Sequence, residues 1–233
     1  PRRIFDMIGV QMETIAHIPL IFDAGDIASR LRFDPTRAGH VSLDGLMGLA
    51  KELIGLRAIY DVAYIRAKGE SSVEVAGVTF ESPILLRNLE KANKVFPYII
   101  TAGPDLEREA GVRGDLLEQY YLEELANLAL EQAAGWLAGR IGERFGLGPL
   151  SNMSPGSLED WPITEQPKLF SIFGDTERLV GVRLTDSLLM VPRKSISGIF
   201  FPSEEGFVAC QLCDRERCPG RKAPFTGVGP NQH

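Results

Sequence analysis

The stretch "DSLLMVPRKSISGIFFPSEEGFVACQ" (Asp186–Gln211) contains three short pieces, "DSLLMVP", "SISGIFF" and "GFVACQ", with brief polar connections between them. Their length and their aliphatic and aromatic content predict three strands joined by tight turns, an antiparallel meander. Upstream, "VFPYIITAG" (Val95–Gly103) reads as a strand apolar enough to be central. Pro97 lacks an N–H and limits its pairing on one side. Between these, "GDLLEQYYLEELANLALEQAAGWLAGRIGERFG" (Gly114–Gly146) places Leu122, Leu125, Ala129, Ala133, Trp136, Leu137 and Ile141 at helical spacing. Asp115 is its N-cap and Gly146 its stop. Strands and helices do not alternate regularly, so the expected class is α+β. It consists of a mainly antiparallel twisted sheet with a long helix packed on it, plus a C-terminal cysteine-rich metal-binding loop.

Outward from that frame, "IPLIFDAGDIASRLRFDP" reads as a short strand, a turn at residues 23–25 and a short helix capped by Asp26. "SLDGLMGLAKELIGL" is a helix with Ser42 as cap, and Leu43, Leu46, Met47, Ala50, Leu53 and Ile54 form its apolar stripe. "RAIYDVAYIRA" and "VEVAGVTF" each read as one strand, and "SPILLRNLEKA" opens a helix with Ser82 as cap and Pro83 at the first position. From Gly146 to Pro167 the chain is rich in proline and glycine and has no period. Loops of that length are usually disordered or functional. Trp161 favours a loop packed onto a body, and "TEQPKLFSIFG" then reads as a short helix.

A chain of 233 residues is long enough for one large domain or two small ones. The division expected here is a domain over 1–208 and a cysteine-rich tail over 209–233. A net charge of −6, with no long basic run, leaves no electrostatic footprint for nucleic acid. No apolar run approaches the length of a membrane span, and the first residues lack the apolar core of a secretory signal, so the expectation is a cytoplasmic protein. No phosphate-binding glycine loop, zinc-protease helix or nucleophile elbow occurs. The three histidines, His17, His40 and His233, mark no triad, so no residue is singled out as catalytic. Asp105, Glu107 and Glu109 read as a solvated helix start, favourable to the macrodipole.

All three cysteines lie in "ACQLCDRERCPGRKAPF" (Ala209–Phe225), as Cys210, Cys213 and Cys218. An odd count and C-x2-C spacing favour metal over disulfide. Arg215, Arg217, Arg221 and Lys222 surround the thiols, and positive charge favours thiolates. Three readings stay open: a [4Fe–4S] cluster with one open iron, a zinc site needing a fourth ligand, and unligated thiols. The spacing resembles the carboxy-terminal cluster motif of the thiamine pyrimidine synthase family, whose open iron meets S-adenosylmethionine.

"SPGSLEDWPITEQPKLFSIFG" followed by "RLVGVRLTDSLLMVPRKSISGIFF" resembles the activation (reactivation) domain of cobalamin-dependent methionine synthase. The resemblance is closer to the free-standing proteins built on that domain, some of which carry a C-x2-C-x4-C tail. It rests on Ser154, Pro155 and Gly156 in a loop, then on Leu184, Thr185, Asp186, Ser187, Met190, Pro192, Ser195, Ser197 and Gly198. It implies S-adenosylmethionine bound in a shallow groove on an antiparallel sheet. Ser154, Pro155, Gly156, Asp186, Ser187, Ser195, Ser197 and Phe207 would be its binding residues. It also implies docking over a corrinoid (cobalamin) held by a partner methyltransferase, and a reduced electron donor protein. A homodimer would supply a fourth cluster ligand. Two readings from other classes stand beside it: an open-iron enzyme doing its own radical S-adenosylmethionine chemistry, and a non-catalytic interaction module with a structural zinc. The family's arginine falls at Asn152 and its tyrosine at Ser157, which removes a bidentate partner for a carboxylate. Arg193 or Lys194 would then be the replacement cation.

Overall fold

The computed structural model describes residues 12–34, 36, 39, 41–203, 209–217, 221 and 223–226. One eight-stranded antiparallel sheet is built around β6 (Lys94–Thr101). On one side β6 pairs with β10 (Ser195–Pro202), and β10 pairs in turn with β7 (Leu150–Met153). On the other side the partner changes along the strand. Tyr98–Thr101 pair with β2 (Arg57–Tyr60), which carries β1 (Glu13–Ile15). Lys94 and Val95 pair with β3 (Ala63–Lys68), which carries β4 (Ser72–Val75) and β5 (Val78–Glu81). Pro97 sits where the partner changes, so its missing donor interrupts neither ladder, and its carbonyl accepts from Asp61 N–H at 3.0 Å. A separate two-stranded hairpin joins β8 (Arg183–Leu184) to β9 (Met190–Val191).

Helices cover both faces. α5 (Leu116–Phe145) lies across one face with α1 (Ala24–Leu31), α2 (Leu43–Leu53) and α4 (Asp105–Val112). Asp115 accepts from the Leu117 and Glu118 N–H groups, and Gly146, at φ +61°, ends the helix. Its Leu122, Leu125, Ala129, Ala133, Leu137 and Ile141 share one core with Tyr60, Phe96, Tyr98, Ile100 and Phe200. Each fully buried leucine there contributes about 1.5–3 kcal/mol of apolar transfer. The other sheet face carries α3 (Pro83–Asn88), α6 (Gln166–Ser171) and α7 (Thr176–Val180). A second core there gathers Phe80, Val95, Met153, Trp161, Leu169, Ile199 and Phe201, and a third gathers Ile59, Ile99, Phe170, Phe173 and Val180. β6 is therefore apolar on both faces because both are covered.

Several local expectations change. The meander does not form: β10 is inserted between β6 and β7, and β9 pairs with β8 instead. "RAIYDVAYIRA" breaks into β2 and β3 at Asp61, where the sheet forks. "VEVAGVTF" breaks into a hairpin, because Ala76 and Gly77 both take positive φ (54° and 80°), the geometry of a tight two-residue turn. "IPLIF" is not a strand, and Asp23 rather than Asp26 caps α1: Asp23 Oδ1 accepts from Asp26 N–H at 2.8 Å. The segment after Gly146 contains β7 and a one-residue bridge between Leu158 and Trp161, so it is not a structureless loop. Of the expected third strand, Ala209–Gln211 form a 3₁₀ turn, and 206–208 lie outside the described residues.

Edge strand β1 is pinned to the end of α5 through Glu13. Tyr60 Oη donates to Glu13 Oε2 at 2.9 Å, Arg140 donates to Oε1 at 3.2 Å, and Arg144 bonds the same carboxylate. Burial raises the Glu13 pKa, but the bonds from Tyr60, Arg140 and Arg144 outweigh it, and the net direction is down. A depressed folded value stabilises the protein at neutral pH, and that contribution fades as pH falls through it. Glu13→Gln is expected to lower the melting temperature at pH 7, with the gap to wild type closing as pH drops below the ordinary carboxylate range. Parallel melting curves at every pH would show that Glu13 contributes nothing of the kind.

Candidate ligand groove and cysteine loop

The Ser154-Pro155-Gly156 loop leaves the end of β7 where β10 carries Gly198. A Cβ on Gly198 would lie 2.4 Å from Met153 O, 2.8 Å from Ser154 Oγ and 3.1 Å from Tyr98 Oη, so only glycine fits. Tyr98 stacks on Phe200 with ring centroids 4.0 Å apart, and its hydroxyl bonds the Ser154 side chain. Burial pushes the Tyr98 pKa up to about 12, with the Ser154 bond opposing, so the phenol stays protonated at neutral pH. The loop closes on itself. Ser157 N–H and Oγ donate to Ser154 O at 3.1 and 2.6 Å, and Gly156 N–H donates to Trp161 O at 2.7 Å. Gly156 has φ +81°, which explains glycine there. Pro155 is buried, while Asn152, Gly156 and Ser157 are exposed.

Ser195 and Ser197 lie on β10 and are buried. Ser195 Oγ donates to Pro192 O at 2.7 Å and lies 2.9 Å from Thr101 Oγ1. Ser197 Oγ faces Gln166 Nε2 at 3.5 Å. Gln166 is itself buried, and its Oε1 has no partner among the described residues, nor does Trp161 Nε1. An unpaired buried acceptor costs about 1–3 kcal/mol, so α6 holds, against the serine strand, one polar atom suited to a donor from a ligand. Sequence reasoning passed over Tyr98 and Gln166, since a tyrosine inside an apolar strand and a glutamine in a short helix carry no signal of their own.

Asp186 and Ser187 are exposed at the tip of the β8–β9 turn. Thr185 shapes that turn. Its Oγ1 accepts from Leu189 N–H at 3.1 Å and lies 3.0 Å from Ser187 Oγ, while Leu188 takes φ 64°. The same turn exposes Leu189 and Val191. The structure thus brings Ser154, Pro155 and Gly156 to one end of the β7–β10 pair, buries Ser197 against Gln166 and Ser195 against Thr101 and Pro192, and leaves Asp186 and Ser187 on a separate hairpin. Phe207 lies outside the described residues. Arg193 and Lys194 are already engaged. Arg193 bonds Glu107 and Glu123, and Lys194 Nζ lies 3.0 Å from Asn127 Oδ1 and 3.7 Å from Glu123. Glu107 is therefore a partner of Arg193 rather than only a solvated helix-start charge. A cleft of about 490 Å³ opens elsewhere, between α2 and the α4–α5 elbow. Its Arg113 is taken by Glu109 and Glu118, so it offers no spare positive charge.

The cysteine loop packs against the second core through Leu212, in the cluster that contains Trp161 and Met153. Cys210 and Cys213 are half-buried, with no disulfide between them. Arg221 bonds the carbonyls of Cys210, Cys213, Arg215 and Ala223. Cys218 lies outside the described residues, and among the described residues no three potential ligands gather.

No family model matches the chain, and no curated relative does. Among solved structures, a crystal structure of the MetH reactivation domain bound to AdoHcy matches with a TM-score of 0.57. The match covers 86% of this chain and 81% of that one at 14% identity, and at that identity it is a likeness of fold. The likeness extends to the mixed α+β architecture expected from the sequence.

Gly198→Ala is expected to destabilise the protein by roughly 1–3 kcal/mol, because the new methyl meets a backbone carbonyl that cannot retreat without parting β7 from β10. Tyr98→Phe should cost about 1 kcal/mol and loosen the Ser154 loop. Urea midpoints of the two variants measure both effects. A neutral Gly198→Ala would show that β7 shifts freely.

Proposed function

We propose that this chain is an accessory protein for reductive reactivation of a corrinoid methyltransferase. In this reading it binds S-adenosylmethionine, or a ligand of similar shape, at the β7–β10 end of the sheet. Its tail, 209–233, holds a [4Fe–4S] cluster through Cys210, Cys213 and Cys218, with zinc as the competing occupant. The observation that carries the reading is the fold shared with the MetH reactivation domain over 86% of the chain. The partners are a corrinoid-bearing protein, a reduced electron donor protein and, for the cluster's fourth ligand, a second copy of the chain.

The chain's own residues supply positioning. Gly198 on β10 leaves room for the Ser154 loop to pack against the strand, and Gly156 supplies the positive φ that turns the loop, so its backbone can approach a ligand closely. Tyr98 holds Ser154, and the Gln166 carbonyl oxygen is the acceptor for a ligand N–H. Leu212 brings the thiols to the core that backs this loop. Bound there, S-adenosylmethionine would supply the methyl group and a cluster one electron; the hard chemistry would belong to the cofactors. Asn152 stands where a carboxylate would want a guanidinium, and Arg193 is held away by Glu107 and Glu123, so affinity for the amino-acid end of the ligand is low.

The test is anaerobic purification with iron and sulfide analysis, followed by visible and paramagnetic-resonance spectra with and without S-adenosylmethionine. A brown protein whose spectrum is perturbed by a corrinoid partner is the expected result. Zinc, or no metal, after anaerobic reconstitution would sink the electron relay, and cleavage of S-adenosylmethionine by the reduced protein would favour the open-iron enzyme. Asn152→Arg is expected to tighten S-adenosylmethionine binding about tenfold by calorimetry, the scale of one charge-assisted bond of about 1.5 kcal/mol.

A further inference from the structure

Four backbone carbonyls of the cysteine loop converge on one side chain. Arg221 Nη1 lies 3.1 Å from Cys210 O and 3.4 Å from Ala223 O. Its Nη2 lies 3.3 Å from Cys213 O and also bonds Arg215 O. A loop outside any strand ladder must satisfy its carbonyls somehow. A planar guanidinium with five fixed donors can take four at once. Two further ties close the same loop: Thr226 N–H and Oγ1 both reach Gln211 O, at 2.9 and 3.2 Å, and Leu212 is seated on the second core. Holding the carbonyls of residues 210 and 213 restricts the directions in which their Cα–Cβ bonds can point, with the anchored Leu212 between them.

From this convergence we infer that Arg221 is the positioning residue of a thiophilic-metal site at Cys210 and Cys213, an inference that rests on reading the tail as metal-binding. The guanidinium does the shaping that metal ions themselves perform in many small metal loops, so the C-x2-C turn is formed before metal arrives. The ligand class is a soft ion that prefers thiolate: zinc, cadmium, copper(I) or the iron of a cluster. Residues that orient metal ligands without touching the metal typically contribute about 10- to 100-fold in affinity. Lysine cannot replace this one, because a point ammonium does not span four carbonyls.

The experiment titrates Cd²⁺ into the reduced, metal-free full chain, reading the thiolate-to-metal absorbance band, and measures hydrogen exchange over 209–217 before metal is added. Arg221→Ala and Arg221→Lys are expected to weaken Cd²⁺ about 10- to 100-fold and to speed exchange in the metal-free loop, with the melting temperature of the body unchanged. Arg217→Ala removes an equal charge from an exposed neighbour and should weaken Cd²⁺ far less than either Arg221 variant while leaving exchange as in wild type, since only charge is lost. Wild-type affinity and exchange in both Arg221 variants would overturn the inference, as would an equal loss in Arg217→Ala or a wild-type chain that takes up no Cd²⁺. A chain that binds Cd²⁺ in an Arg221-dependent way yet assembles no iron–sulfur chromophore would leave the inference standing and remove the electron relay.

Discussion

β6 is covered on both faces and bordered on both edges. Phe96, Tyr98 and Ile100 meet α5, while Val95 and Ile99 meet the opposite helices. Its inner edge is shared by β2 and β3, and its outer edge belongs to β10 alone. Because nothing in this strand is exposed, its register sets the position of everything around it. Gly198 lies opposite Tyr98, which places the Ser154 loop. Ser195 lies opposite Thr101, which ties the start of β10 to the end of β6. A one-residue slip would drive Phe200 out of one core and Ile199 out of the other.

That dependence explains what the sequence disclosed and what it hid. α5 was legible end to end, because period, cap and stop residue are local signals and all three agree. β6 was legible because an apolar run of its length fits a covered strand. The pairing of β10 was not. Three strand-like pieces in a row suggest a meander, yet β10 reaches back across nearly a hundred residues to β6, a choice made by packing. The Ala76–Gly77 turn was missed for a smaller reason, since Ala is a poor advertisement for positive φ. Asp23 outcompeted Asp26 because the helix begins one turn earlier than its apolar stripe.

The candidate site divides along the same line. Ser154, Pro155, Gly156 and Gly198 were readable as a motif, and the structure adds the reason for them: a backbone carbonyl close enough to exclude any side chain. The serine strand looked like an open groove edge, but Ser195 and Ser197 are covered by neighbouring elements and spend their hydroxyls on Pro192, Thr101 and Gln166. Tyr98 and Gln166 show their partners only across long stretches of sequence, and Arg221 gathers carbonyls of its own loop that no sequence pattern marks. The cations that flank the strand are committed too, which concentrates any anion recognition at Asn152 or on a partner.

Leu212 sits in the same core as Trp161, one of two tryptophans in the chain, and Trp161 is fully buried. The indole is therefore a built-in optical gauge. If the tail lifted off, the core around Trp161 would lose Leu212, and a red shift of the Trp161 emission would report it. Trp136, half-buried on α5 beneath Arg140, belongs to the other core and serves as the internal reference.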